Sequence, residues 1–531
     1  MNNGKLCVSV CAETAAELTQ QIERAEDLAD VIEIRFDCLN ENELDSALQK
    51  ISRLNSKKSL LATFRPKSKW AEFFFGKVID KEVLEKKNSA FRERINLWNK
   101  VLSLRKIDFL DFEDDLFIGF MMSDIFENDI LQKREIIFSY HNFEGVPNNL
   151  RQTYEDFSSA EEFNVKCDII KIATQTDDVT DTIEIWKLLK QAEQENKNLI
   201  PIAMGEAGKW TRILGLAHGA FMTYAALDAG KETASGQITA QDLIETYRVK
   251  ELDERTEIYG ILGNPVSHSL SPYIHNAAFK FHNLNAVFVP FEVKNLDEFI
   301  TKFIRHETRE VELNFKGFSV TIPHKQAIIK HLDFVDETAE KIGAVNTVKI
   351  ARGKLYGYNT DAEGFIEPLK NTCGELKNLK VAVLGSGGAA RACIYALQQA
   401  EAKVTIFARD IEKAKVLADE FQASFSDLKS EISDFKFFDI VINATPLGTI
   451  GGLENQTPVT ADQIKTAHLA YDLVYNPFET RFLREAKSAG VPTVGGLAML
   501  ISQAMAQFKI WTELDAPMKE MSRAALRKLQ P

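Results

Sequence analysis

Residues 168–174 read Asp-Ile-Ile-Lys-Ile-Ala-Thr, an apolar, β-branched run with one lysine, Lys171, inside it. A short apolar run of this kind predicts a strand buried on both faces. Working outward, runs of the same texture recur through the first half: LCVSVC (6–11), DVIEIRFDCL (30–39), SLLATFR (59–65), IDFLDFE (107–113), REIIFSYH (134–141), LIPIAM (199–204) and GAFMTYAAL (219–227). Helix-like stretches such as TAAELTQQIERAEDLAD and DTIEIWKLLKQAEQE separate most of them. Buried strands alternating with helices imply a parallel sheet. About eight such units in about 250 residues fit a (β/α)8 barrel. A doubly wound open sheet is the structural competitor.

A lysine in an apolar strand is costly unless it is paired or neutral. Burial favours the neutral amine, the nucleophilic form that a Schiff base requires. The competing reading is a lysine whose stem packs while its head reaches solvent or an acid. Barrel chemistry sits at the C-terminal ends of the strands. Glu33 and Arg35 fall there, on one face because strand side chains alternate, together with Arg65 and His141.

Near 248–257 the segment RVKELDERTE is charged and lacks apolar periodicity. It predicts a domain boundary, with a barrel over 1–250 and a second α/β unit over 255–531. In the second unit Ser269 and Ser271 are two apart, so in an extended segment they face one side, which suits a hydroxylated or carboxylate ligand. The alternative is a polar loop with Ser271 as a helix N-cap and proline following. Lys325 and Asp361 form a candidate proton-handling pair, against the alternative of a surface salt bridge. The run KVAVLGSGGAARA (380–392) places Gly385, Gly387, Gly388 and Ala389 between a strand and a helix. Gly385 allows a tight turn, Gly387 a close approach to pyrophosphate and Ala390 close helix packing; the helix N-terminus attracts the anion.

The formal net charge of −13 gives no basic footprint for nucleic acid or an anionic membrane. No apolar run approaches the length of a membrane span, and the N-terminus shows no leader pattern, so a cytoplasmic protein is expected. The six cysteines include no Cys-x-x-Cys pair. Reduced thiols and no metal site are the expectation. The charge-rich stretch 81–100 reads as a solvated amphipathic helix. Nothing in the sequence fixes the oligomeric state.

The first half resembles the type I 3-dehydroquinate dehydratases over most of residues 5–248. The resemblance rests on Glu33-Ile-Arg35, Thr63-Phe-Arg65, Ser139-Tyr-His141, Ile170-Lys171-Ile172, the segment from Met204 to Arg212, and Ala234-Ser-Gly-Gln237. It implies that Lys171 forms an iminium with the substrate ketone and that His141 is the general acid/base. Glu33, Arg35, Arg65, Arg212, Thr233 and Gln237 would bind the substrate. Two departures stand out. Lys69 occupies the place of a family glutamate, with Glu72 a possible substitute, which puts the dehydratase rate in doubt; and Thr233-Ala-Ser-Gly-Gln237 lacks the family's proline.

The second half resembles the shikimate dehydrogenases over nearly all of 257–531. The motifs around Ser269, Thr321, Asn346, Asp361, Gly385, Asn443, Tyr475 and Gln503 occur in the family's order. The resemblance implies a two-lobed enzyme: a substrate lobe over 255–361 plus 496–531 and a Rossmann-type NADP lobe over 362–495. Ser269, Ser271, Thr321, Asn346, Tyr475 and Gln503 would bind the substrate, with Lys325 and Asp361 catalytic. Ser319 stands where many relatives have asparagine. Arg409, with Lys413 one turn on, fits the family's 2′-phosphate pattern and implies NADP(H); Asp410 reads as a helix N-cap. The fused order resembles the plant-type fusion, in which the first product is the second substrate. Three alternatives remain: a dehydrogenase whose dehydratase half is weakened or lost, a quinate dehydrogenase, and a non-catalytic metabolite sensor on the same folds.

Overall fold

The computed structural model describes residues 2–65, 94–114, 116, 131–163, 165–428 and 435–529. Lys69, Glu72 and residues 81–93 of the charge-rich stretch lie outside the described residues. The chain divides into two compact units. One comprises 1–256 with 291–303 and 308–313; the other comprises 257–290, 304–307 and 314–531.

In the first unit the apolar runs become β1 (Lys5–Val10), β2 (Val31–Arg35), β3 (Ser59–Thr63), β4 (Phe109–Glu113), β5 (Glu135–Asn142), β6 (Ile169–Gln175), β7 (Leu199–Met204) and β8 (Met222–Ala226), followed by a short β9 (Ile238–Thr239). Their order is β7-β6-β5-β4-β3-β2-β1-β8-β9. Sequential neighbours with β8 beside β1 are the order of a barrel; an open doubly wound sheet reverses direction at its centre. The run also curls back on itself, because the Phe221 amide donates to the Leu199 carbonyl at 2.9 Å.

Helices cover the outside for local reasons. In Ala15–Ala25, Thr14 caps the N-terminus by accepting from the Glu17 amide, and Leu18, Ile22 and Ala25 form the buried stripe. Inside, one layer of apolar side chains includes Cys7, Val31, Leu61, Phe109, Ile137, Ile169 and Ile200. Polar residues occupy the next positions toward the strand ends, so the register sets which of them meet: Ser9 lies opposite Glu33, and Ser139 opposite Lys171.

The expectation that every thiol is reduced is corrected here. Cys11 and Cys38 form a disulfide with Cα atoms 5.5 Å apart. The two lie 27 residues apart in sequence, but parallel pairing of β1 with β2 brings the segments after both strands together. Cys7, Cys167, Cys373 and Cys393 are free.

The second unit contains two six-stranded sheets. The first comprises β10 (Glu257–Gly263), β11 (Ala286–Glu292), β12 (Phe315–Val320), β13 (Phe334–Val335), β14 (Thr347–Ala351) and β15 (Lys354–Tyr358), in the order β11-β10-β12-β14-β15-β13. The second comprises β16 (Lys380–Leu384), β17 (Lys403–Ala408), β18 (Ser424–Asp427), β19 (Ile440–Asn443), β20 (Leu469–Asp472) and β21 (Thr493–Val494), in the order β18-β17-β16-β19-β20-β21. Counted from β16, that is the 3-2-1-4-5-6 order of a dinucleotide-binding fold, with its switch point between β16 and β19. The helix Gly496–Thr512 returns to the first sheet. Its Ile501, Ala504, Phe508 and Trp511 share a buried cluster with Tyr259, Ile261, Ile274 and Phe288.

Candidate active sites

At the C-terminal end of the barrel Lys171 is 3% exposed. Its Nζ lies 2.9 Å from Asp111 Oδ2, 4.0 Å from Glu33 Oε1 and 4.0 Å from the centre of the Tyr224 ring. The competing reading, a head that reaches an acid, is therefore half right: the acid is there, but it too is buried. Asp111 also pairs with Arg65 at 2.6 Å and accepts from Ser139 Oγ at 2.5 Å. Burial by itself would push its carboxyl up, but Arg65 and Lys171 outweigh that and hold it well below the usual range. Arg65 also donates to Glu113 at 2.8 Å and to Ser139 at 2.9 Å. Glu33 accepts from Ser9 at 2.5 Å and Thr63 at 2.9 Å.

His141 is held neutral. Burial, then the charges of Arg65 and Lys171, push its imidazole well below its ordinary value. Its Nδ1 has no hydrogen-bond partner among the described residues and lies 3.5 Å from Glu113 Oε1. Arg212 is the one buried guanidinium of the expected substrate set without a carboxylate partner among the described residues. It is 2% exposed, donates only weakly to the Ser235 carbonyl at 3.3 Å, and keeps Nε unpaired. Burial pushes it down to about 10. Arg35, by contrast, is engaged by Asp37 through both carboxylate oxygens, at 2.9 and 2.7 Å. The Thr233–Gln237 loop is closed on itself, with Gln237 Oε1 accepting from the Thr233 amide at 2.8 Å. Gly236 has φ +73°, and a Cβ there would stand 2.2 Å from the Gly205 carbonyl, so only glycine fits.

In the second unit Lys325 bonds Asp361 Oδ2, and their side chains are 16% and 7% exposed, which excludes a surface salt bridge. Asp361 opens the helix Asp361–Cys373 and accepts from Asn346 Nδ2 at 2.8 Å. Asn346 also reaches Gln503 at 3.5 Å. Tyr475 lies near Ser269, and burial pushes its hydroxyl up. The extended reading of Ser269 and Ser271 is corrected. Ser271 is the first residue of the helix Ser271–Phe281, because Pro272 already has the backbone angle of a first turn. Ser269 Oγ accepts from the Ser271 amide at 3.2 Å, so the outer serine serves the helix end. Thr321 follows β12 and is half-buried.

The glycine loop fits a dinucleotide. Gly385 has φ +124°, and a Cβ on it would approach the Ala444 carbonyl at 2.9 Å. A Cβ on Gly387 would meet nothing within 4 Å, which leaves the backbone open to a ligand. Gly387 caps the helix Gly388–Gln399, whose first amides, with Ala389, point out of the β16–β19 switch point. Arg409 follows β17, and Asp410 accepts from the Lys413 amide as the next helix's cap.

The family models match in the same order. Type I 3-dehydroquinase matches residues 6–254, the shikimate dehydrogenase substrate-binding domain 261–348, shikimate/quinate 5-dehydrogenase 367–456, and the shikimate 5′-dehydrogenase C-terminal domain 496–526. The chain is 33% identical, over 97% of its length and 83% of the relative's, to the chloroplastic bifunctional 3-dehydroquinate dehydratase/shikimate dehydrogenase of Arabidopsis thaliana. It belongs to the bifunctional 3-dehydroquinate dehydratase/shikimate dehydrogenase family. The dehydrogenase half is 42% identical to a shikimate dehydrogenase (NADP(+)) of Caldanaerobacter subterraneus subsp. tengcongensis, over 49% of this chain and 94% of that protein. It is 41% identical to one of Methanococcus maripaludis, over 52% of this chain and all of that protein.

Sequence reasoning missed several residues of this bifunctional dehydratase/dehydrogenase. Asp111 and Glu113 are two apart in FLDFE, the same signal that singled out Glu33 and Arg35, and that alternation was available. Gln507 had a weaker signal, four residues after Gln503 on one helix face. It accepts from Ser319 at 2.9 Å and donates to Thr347 at 3.0 Å behind Asn346. No group of acids, histidines and cysteines with metal-site geometry occurs among the described residues. No described helix is long and apolar enough to cross a membrane.

Proposed function

We propose that the barrel dehydrates 3-dehydroquinate through a Schiff base on Lys171, and that the second unit reduces the resulting 3-dehydroshikimate to shikimate with NADPH. The observation that carries this reading is a shared arrangement: two lysines, Lys171 and Lys325, each paired with a buried aspartate. In the barrel, Arg212 has no counter-charge among the described residues, and a substrate carboxylate would supply one. Neutral His141 is ready to accept a proton beside the iminium and to return one to the departing hydroxyl. Arg35 would turn from Asp37 to the ligand only at the expense of a bidentate pair, so its role is secondary to that of Arg212.

In the second unit Ser269, Ser271, Thr321, Tyr475, Asn346 and Gln503 would orient the ring and its carboxylate. Lys325, held by Asp361, donates a proton to the carbonyl oxygen on reduction. NADPH, when bound, supplies the hydride. Gly385, Gly387, Gly388 and Ala389 would hold its pyrophosphate, and Arg409 with Lys413 its 2′-phosphate.

A coupled assay tests the whole reading. Given 3-dehydroquinate and NADPH with no other enzyme, the protein should oxidise NADPH and accumulate shikimate. Accumulation of 3-dehydroshikimate with no NADPH consumed, or untouched 3-dehydroquinate, would remove one half of the proposal.

Cofactor choice is tested separately. The wild type should use NADP in preference to NAD in shikimate oxidation. Arg409→Ala should cut kcat/KM for NADP by roughly tenfold to a hundredfold, the worth of a charge-assisted contact, and leave NAD use nearly unchanged. The Asp410 carboxylate is turned onto the Lys413 amide, so it does not stand in for an acid that reads the ribose. A cofactor ratio untouched by the substitution would refute the assignment.

A further inference from the structure

Polar side chains near the catalytic lysine mostly answer one another. Glu33 is bonded by Ser9 and Thr63, and Asp111 by Arg65, Ser139 and Lys171. Tyr224 is an exception. It lies on β8 opposite Cys7 and is 3% exposed. Its ring faces Lys171 Nζ at 4.0 Å, and its hydroxyl is buried with no hydrogen-bond partner among the described residues. Leaving a buried hydroxyl unpaired is costly, so the group requires an explanation. Cys7, Glu33, Asp111 and Arg65 lie within electrostatic reach, yet none of them bonds it. His141 Nδ1 and Arg212 Nε are unpaired in the same barrel. Both belong to side chains that the proposed mechanism turns toward substrate, and Tyr224 shares their condition.

The geometry points to Tyr224 as a further substrate-contacting residue of the dehydratase, its hydroxyl donating a hydrogen bond to the ketone oxygen at the carbon that Lys171 attacks. This rests on Lys171 being the Schiff-base nucleophile. As the amine nitrogen bonds the carbon, the carbonyl π pair moves onto oxygen, and the proton lost by nitrogen balances the one gained by that oxygen. The nitrogen lone pair then forms the C=N bond, and the hydroxyl leaves as water with a second proton from the general acid. A donor aimed at that oxygen gains strength as charge builds on it. Tyr224 keeps its own proton throughout, because burial, with the nearby Cys7 and acids, pushes its hydroxyl well above the ordinary phenol range. Its ring face also favours the cationic iminium nitrogen once the adduct has formed.

Tyr224→Phe in the full chain removes the hydroxyl and keeps the ring. Dehydratase kcat should fall by roughly tenfold to a hundredfold with KM little changed. Borohydride-trapped adduct on Lys171 should form more slowly by a similar factor in single-turnover experiments. The melting temperature should hold or rise, since an unpaired polar group is gone, and dehydrogenase turnover should not change. Wild-type kinetics with a raised melting temperature would overturn the proposal, because the hydroxyl would then be only a buried, unused group. A loss confined to KM would also overturn it, by moving the contact to another part of the substrate. A wild-type adduct on a different lysine would overturn the nucleophile reading itself and this proposal with it. Normal labelling at Lys171 beside an unimpaired Tyr224→Phe would overturn this proposal alone.

Discussion

Lys171→Ala should lower dehydratase turnover by about four decades or more, because on the proposed mechanism it removes covalent catalysis outright and leaves only binding and acid–base groups. The structure adds a control for folding. Removing one partner of a buried pair usually destabilises, by about 3–5 kcal/mol, because the other charge is left alone. Asp111 would not be left alone here, since Arg65 at 2.6 Å and Ser139 at 2.5 Å still satisfy it. The loss in stability should therefore be smaller than that range, and Lys171→Met, which keeps the packing against Tyr224, should melt close to wild type while being equally inactive. Borohydride with 3-dehydroquinate should add ligand mass to the peptide containing Lys171 in wild type and to no peptide in either variant. Residual activity within tenfold of wild type, or a labelled lysine elsewhere, would contradict the assignment.

The second large effect is expected in the other unit. Lys325→Ala removes the group proposed to protonate the carbonyl oxygen, a contribution of about 10²–10⁴ in rate. KM should change less, because Asn346 and Gln503 keep their places: Asp361 still accepts from Asn346 at 2.8 Å. Dehydratase turnover should remain near wild type, as the two sites belong to separate compact units. The decisive measurement is both activities on one preparation, with circular dichroism to show that the variant is folded. Loss of both activities in a folded protein would mean that the sites are energetically coupled, against the division into two units. Asp361→Asn should fall between wild type and Lys325→Ala, since it keeps the shape of the pair and removes the charge that holds the lysine.

Much of this was legible in the sequence, and the legible parts share a cause. Eight short apolar runs separated by helical stretches specified the barrel, because strand burial and helix amphipathicity are written in neighbouring residues. Gly385, the cap at Asp410 and the helix after Gly387 were likewise readable, because each depends on backbone geometry within a few positions. At Ser269 and Ser271 the same local logic offered two readings, an extended segment and a helix start, and the helix begins there, with Pro272 in its first turn.

What the sequence did not contain is which charges answer which. Lys171 and Asp111 are 60 residues apart, Arg65 and Asp111 are 46 apart, and their pairing exists only because the register of β3 through β6 brings those strand ends into one layer. Pairing of β1 with β2 likewise unites Cys11 with Cys38, while among the described residues Arg212 has no carboxylate partner and the Tyr224 hydroxyl no hydrogen-bond partner. Motif and spacing thus determined, from the sequence alone, the two folds and the candidate residues of the two sites. Only the tertiary structure decided which of those residues are already paired and which stand open to a ligand, because charge pairing is set by distances across strands that no local pattern encodes.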